Sequence, residues 1–223
     1  MIRTTALALA IAAATVAVPA HAQLGKLKGL AGGSSSSQAS TAGVPDEAAQ
    51  EALVKRFVAS QSHSLSAQTS FAKAFGLAEQ VQLLEAESLA LSSGSVSTDA
   101  MKKARSVSES VQAALDERQA QQPELSAEAK EHYAAGLVSL LESAAEGRKL
   151  SGEASDFAGG MKNLGASQMA TVGRKLAAGA WVAKESPGYL QGLYGSTKSA
   201  LTFARAAKIK VPGNADAMLD GLN

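Results

Sequence analysis

The sequence predicts an all-α protein, an antiparallel bundle of about five to seven helices with no sheet. Apolar residues recur at steps of three and four through most of the chain beyond residue 45, the spacing of one helical face. Proline, glycine and serine punctuate that pattern at helix-length intervals. No run alternates at period two beyond Ile209-Lys210-Val211, so nothing reads as a strand. With 5 Phe, 3 Tyr and 1 Trp in 223 residues, the core has to be built from small and aliphatic side chains, which suits helices packed at close range. No fixed-length repeat supports a solenoid.

The helical domain is expected over residues 45–223. Pro45 as the first helical residue, with Asp46 and Glu47 in the first turn, starts the first helix through a fixed φ and the macrodipole. Its apolar face is Val54, Phe57, Val58, Leu65, Ala72 and Phe75. Gly76 interrupts or bends it, and Leu77, Val81, Leu84 and Leu91 resume the period until SSGSVS at 92–97. Ser97 or Thr98 caps the next helix, lined by Met101, Ala104, Val107, Val111, Ala114 and Leu115 and stopped by Pro123. Ser126 caps another, with Tyr133, Leu137, Leu140, Leu141 and Ala144 on one side. Leu150, Ala154, Phe157, Met161 and Leu164 nearly keep the phase, so 126–164 fits one long helix or two, since Gly147 and Gly152 weaken the middle.

After Gly165, the residues Ala166, Ala170, Gly173, Ala177 and Ala180 predict a helix whose small side chains let a neighbour approach closely. Lys162, Arg174, Lys175 and Lys184 interrupt that region, which argues against a membrane-spanning helix. Ser186 as cap and Pro187 as first residue then predict a last full helix to about Lys208. Its core face is Tyr189, Leu193, Ala200, Phe203, Ala204 and Ala207, while Gly188, Gly192 and Ser196 occupy another flank, expected against the small-residue helix. Pro212-Gly213 ends it, and Asn214 caps a short turn through Leu219.

Residues 1–22 read as a secretory signal peptide: Arg3, an uncharged apolar run from Ala6 to Val18, and Ala20-His21-Ala22 ahead of a cleavage site after Ala22. The run is shorter than the ~20 residues a membrane-crossing helix needs. Residues 23–44 are a Gly/Ser-rich flexible leader. The expected location is the periplasm or the medium, with no transmembrane helix after processing.

Cysteine is absent, which excludes disulfides, thiolate metal sites and cysteine nucleophiles. The formal net charge is only +1, but it is unevenly spread. Between Asp46 and Glu87 acidic residues outnumber basic ones six to three, whereas from Glu146 to Lys210 basic residues prevail ten to four. Export and a near-neutral total weigh against a nucleic-acid partner.

Catalytic patterns are incomplete. Ser70 and Lys73 match Ser-x-x-Lys, but the companion Ser-Asp-Asn and Lys-Thr-Gly elements are missing. Glu128 and His132 share a helix face without the paired Glu-x-x-His of diiron bundles, so neither metal nor cofactor is expected. Glu85 and Glu87 point apart on a helix. The candidate ligand or partner contacts are Tyr194, Lys198, Arg205 and Lys208, a basic strip with an amphipathic ring at its edge, suited to carboxylate or phosphate. The expected function is a non-enzymatic, exported envelope protein binding another protein or an anionic envelope component. The alternative is a periplasmic carrier of a lipid or other apolar ligand.

Overall fold

The computed structural model describes residues 43–93 and 96–222. The proposed signal peptide and all but the last two residues of the proposed leader lie outside them. Among the described residues there are seven helices and no strand: α1 (Glu47–Ala74), α2 (Ala78–Ser92), α3 (Thr98–Ala120), α4 (Ala127–Lys162), α5 (Ala166–Val172), α6 (Ala177–Ala206) and α7 (Ala215–Asp220).

Capping chemistry sets most boundaries. The side chains of Asp46, Ser97 and Ser126 accept from the backbone N–H three residues on, at 2.8, 3.1 and 3.1 Å, opening α1, α3 and α4. Asp46 is therefore the cap of α1, and Pro45 sits one position before it rather than at the first helical residue. Gly76 ends α1 outright. At φ +69° it sits in the left-handed region, where the Leu77 N–H returns to the Ala72 carbonyl at 2.9 Å and the Gly76 N–H to Lys73 at 3.2 Å. Lys208 makes the same turn after α6 at φ +55°, with Ile209 bonded back to Ala204 at 2.8 Å.

Cross-helix contacts fix the directions. Arg56 meets Glu153, Ser60 meets Ser143 and the Gly136 backbone lies against Phe71, so α1 and α4 run antiparallel. Gly179 lies against Phe157 and Tyr133 against Ala200, so α6 is antiparallel to α4. The long helices alternate in direction along the chain, leaving α1, α3 and α6 pointing the same way. Two aromatic groups anchor the core. Tyr133 stacks within 4.5–5.8 Å of Phe71, Phe75 and Phe203, and Phe57 lies 5.5 Å from Trp181 and 5.2 Å from Tyr189.

Residues 127–162 form one helix, because the missing side chain at Gly147 is filled from outside: an added Cβ would sit 3.0 Å from both Leu190 and Leu193 of α6. Two expectations need correction. The small-residue helix is only the seven-residue α5, with no buried residue, and turns at 173–176 separate it from α6. Side chains that small bury too little apolar area to hold a long helix against the core. Nor does Ser186-Pro187 begin a helix; it lies inside α6, which starts at Ala177. Pro187 removes the N–H that would bond to the Ala183 carbonyl, and the Ser186 hydroxyl bonds to the Val182 carbonyl at 2.7 Å. Buried Val182 and Tyr189, with Trp181 and Tyr189 both against Phe57, hold the two halves on one axis.

The real start of α6 is capped from another helix. Gln50 of α1 accepts from the Gly179 N–H at 3.0 Å and donates to the Lys175 carbonyl at 3.0 Å. Leu176, at the cap position, has no side chain able to do this.

Candidate functional site

Where α1 and α4 meet, polar groups in the interior are matched. The Ser60 hydroxyl donates to the Ser143 carbonyl at 3.0 Å, Ser143 returns a bond to the Ser60 carbonyl at 2.8 Å, and the Tyr189 hydroxyl lies 2.8 Å from Ser60 Oγ. Each proton is used once if Tyr189 donates to Ser60. Burial raises the Tyr189 phenol above its usual range, against the opposing effect of these serines. At the other end Gln119 donates to the Tyr133 hydroxyl at 3.1 Å and accepts from Ser199 at 2.7 Å, while Tyr133 donates to the Ala200 carbonyl at 3.2 Å. Burial, with Asp116 adding to it, pushes the Tyr133 phenol far up.

Between α3 and α6 the helices part over a groove of about 350 Å³. Its floor is Gln61, Ser64 and Gln68 of α1, one wall is α3 from Arg105 to Asp116, and the other is α6 from Gly188 to Ser196. The α6 wall is half glycine: Gly188, Gly192 and Gly195 line it together with Tyr189, Leu193 and Ser196. An added Cβ at Gly192 or Gly195 would meet nothing within 4 Å, and at Gly188 only Arg105, at 3.5 Å. Gly188, Gly192 and Ser196 thus face this groove rather than the small-residue helix.

The floor is polar and unsatisfied. Gln61 is 1% exposed, and neither its amide nitrogen nor its amide oxygen has a hydrogen-bond partner. Gln68 is 4% exposed; its nitrogen donates to the Ser108 carbonyl at 3.0 Å and to Gln112 at 3.1 Å, but its oxygen has none. Leaving a buried donor or acceptor unmatched costs about 1–3 kcal/mol for each group. The charges on the walls are already engaged: Arg105 bonds to Glu109 at 2.7 Å and Glu185 at 2.6 Å, and Asp116 accepts from Gln112 at 2.9 Å.

The basic strip is dispersed across neighbouring features. Lys198 lines a depression that continues the groove through Asp116 and Gly195. Lys208 lines a further depression with Glu124 and Lys130, which shares Gln122, Phe203 and Ala206 with the last, at the end of α6, where its charge complements the helix dipole. Arg205 is turned to Asp216 of α7 at 2.5 Å, and Tyr194 is half-buried and lines neither depression. Lys73 is held by Glu85 at 2.9 Å. Among the described residues no cluster of three or more His, Cys, Asp or Glu could hold a metal, and no helix is long and apolar enough to cross a membrane.

Sequence reasoning placed Gly192 as a packing residue and overlooked Gln61 and Gln68. The signal for both lay in the pattern Gln61-x-x-Ser64-x-x-x-Gln68, polar residues at helical spacing on the same turns as the apolar face. Neither family models, curated proteins nor solved structures give a match to this chain.

Proposed function

We propose that the chain is an exported, non-enzymatic binding protein of the cell envelope that holds its partner in the groove between α3 and α6. The observation that carries this reading is the floor of that groove, where two buried glutamines keep unmatched amide atoms, both of Gln61 and the oxygen of Gln68, beside a wall that is half glycine. A core that tolerates such groups without return would be more stable with apolar residues in their place. Export rests on the residue pattern of 1–22. The surface lining the groove is more apolar than polar, and it is the unmatched amide atoms of Gln61 and Gln68 that favour a polar partner over the lipid or apolar ligand of the carrier alternative. Lys198, at the continuation of the groove, is an additional contact in this proposal.

The test is site-specific photo-crosslinking in intact cells. A crosslinker at Gln112 or Ser196, on the groove, is expected to capture a partner that one at Lys149, on α4, does not. Equal recovery from both positions, or none from either, would overturn the reading.

A further inference from the structure

Resting on that reading, we propose that the groove recognises an uncharged stretch of extended peptide main chain, about four residues long, through the side-chain amides of Gln61 and Gln68. One point of chemistry and three observations converge. An amide presents a donor and an acceptor side by side, and the C=O and N–H of a peptide main chain answer both at once. The protein already makes this pairing: Gln50 reads the Lys175 carbonyl and the Gly179 N–H with its two arms. It does so where a glycine lets main chain come close, since a Cβ on Gly179 would sit 2.5 Å from Phe157 and 3.1 Å from Gln50 itself. The groove repeats the combination with the main-chain partner missing, for Gln61 is unmatched and Gly188, Gly192 and Gly195 leave the facing wall open.

Other ligand classes fit less well. Between α3 and α6 the cation Arg105 is claimed by Glu109 and Glu185 and Asp116 adds negative charge, so an anion would meet its nearest unpaired cation, Lys198, only at the continuation of the groove. Tyr189, the aromatic residue on the groove, is 8% exposed with its hydroxyl turned to Ser60, leaving no open ring face for a sugar to stack on. The length follows from the helix. Gly188 to Ser196 advances about 12 Å at 1.5 Å per residue, room for roughly four residues of extended chain at about 3.3 Å each. Both amides are buried without a ligand, so the proposal requires the Gln61 amide and the Gln68 oxygen to turn toward the groove as the peptide seats.

The full chain labelled with nitrogen-15 provides the readout, since the side-chain NH2 groups of Gln61 and Gln68 give their own resonances. Titration with a mixture of acetylated, amidated tetrapeptides randomised at each position is expected to shift both in a saturable way. The same mixture N-methylated along its backbone, which removes the N–H donors, should bind at least tenfold more weakly. Gly192→Leu, whose Cβ meets nothing within 4 Å and whose side chain would occupy the groove, should abolish the response without unfolding the protein. No shift, or an equal response to the methylated mixture, overturns the proposal. Maltotriose or inorganic phosphate shifting these resonances in place of peptide would overturn the peptide assignment and leave the groove a binding site. If no probe moves them and the groove crosslinker captures nothing in cells, the binding reading falls as well.

Discussion

The seam between α1 and α4 and the groove between α3 and α6 use the same residue types to opposite ends. At the seam, Gly136 is a glycine because Phe71 occupies the space: a Cβ there would lie 2.5 Å from the ring. At the groove, Gly192 has open space where its side chain would be. Buried glutamine shows the same contrast. Gln119 spends both ends of its amide on Tyr133 and Ser199, while Gln61, more deeply buried, spends neither. One region is organised to hold the fold together and the other is held open by it. Since glycine and unmatched amides both cost stability, their concentration along one groove points to a use outside folding.

The largest expected effect tests the seam. Phe71 is 2% exposed, stacks on Tyr133 and fills the notch at Gly136, so Phe71→Ala should cost about 3–5 kcal/mol. Urea denaturation followed by circular dichroism measures it, and a cost under about 1 kcal/mol would show that the seam does not carry the fold. The glutamine pair sharpens the contrast. Gln61→Met keeps the length of the side chain and removes the unmatched amide, and should leave the protein more stable by about 1–2 kcal/mol. Gln119→Met strands the Ser199 hydroxyl and breaks the link to Tyr133, and should destabilise by about 1–3 kcal/mol. Equal signs for the two variants would erase the distinction between the regions.

The fold was legible because its information is local. Every residue expected on the face from Tyr133 to Ala144 is buried, and the serine caps at 97 and 126 open the helices they were expected to open. What failed is what depends on neighbours distant in sequence. The start of α6 is capped by Gln50, more than a hundred residues away, so no local pattern around Leu176 reveals it. Pro187 looked like a beginning because local chemistry favours proline there, but packing of Trp181 and Tyr189 on Phe57 carries the helix through it. The groove was hidden for a related reason. A polar residue on a helix is read as solvated by default, and only tertiary structure shows that α1 packs against four other helices, α2, α3, α4 and α6, with Ser60, Gln61, Ser64 and Gln68 buried. Glu87, named in the sequence only as an acid pointing away from Glu85, is likewise buried, 4% exposed, and meets Lys103 at 2.6 Å.

The glycines supply a paired test of opposite sign. Gly136→Ala drives a methyl group into Phe71 and should cost about 1–3 kcal/mol. Gly192→Ala adds the same methyl group to open space in a helix interior and should stabilise by up to about 1 kcal/mol, because alanine gives up less backbone freedom than glycine. Thermal melts of the two variants beside the parent protein would show one midpoint falling and the other rising. A fall at both positions would mean that the α6 wall is closed in solution and that the groove is not available to a ligand.

The smallest effect lies at the edge of the seam, where Arg56 joins α1 to α4 through Glu146 at 2.6 Å and Glu153 at 3.0 Å, and Lys149 adds a bond to Glu146 at 3.0 Å. Hydrogen bonds from Arg56 first and Lys149 second hold the Glu146 carboxyl below its ordinary value of 4.5. A carboxyl lowered on folding contributes stability that is complete above the unfolded value and drains away as the pH falls through the folded one. Glu146→Gln should therefore cost at most about 1 kcal/mol at pH 7, since the network is partly open to solvent. That difference should narrow as the pH falls below the ordinary carboxyl value of 4.5 and through the lower folded value, as the parent loses the contribution the variant already lacks. Urea midpoints of both proteins across this range measure it. A gap that persists undiminished in acid would assign Glu146 a packing role at the seam in place of an electrostatic one.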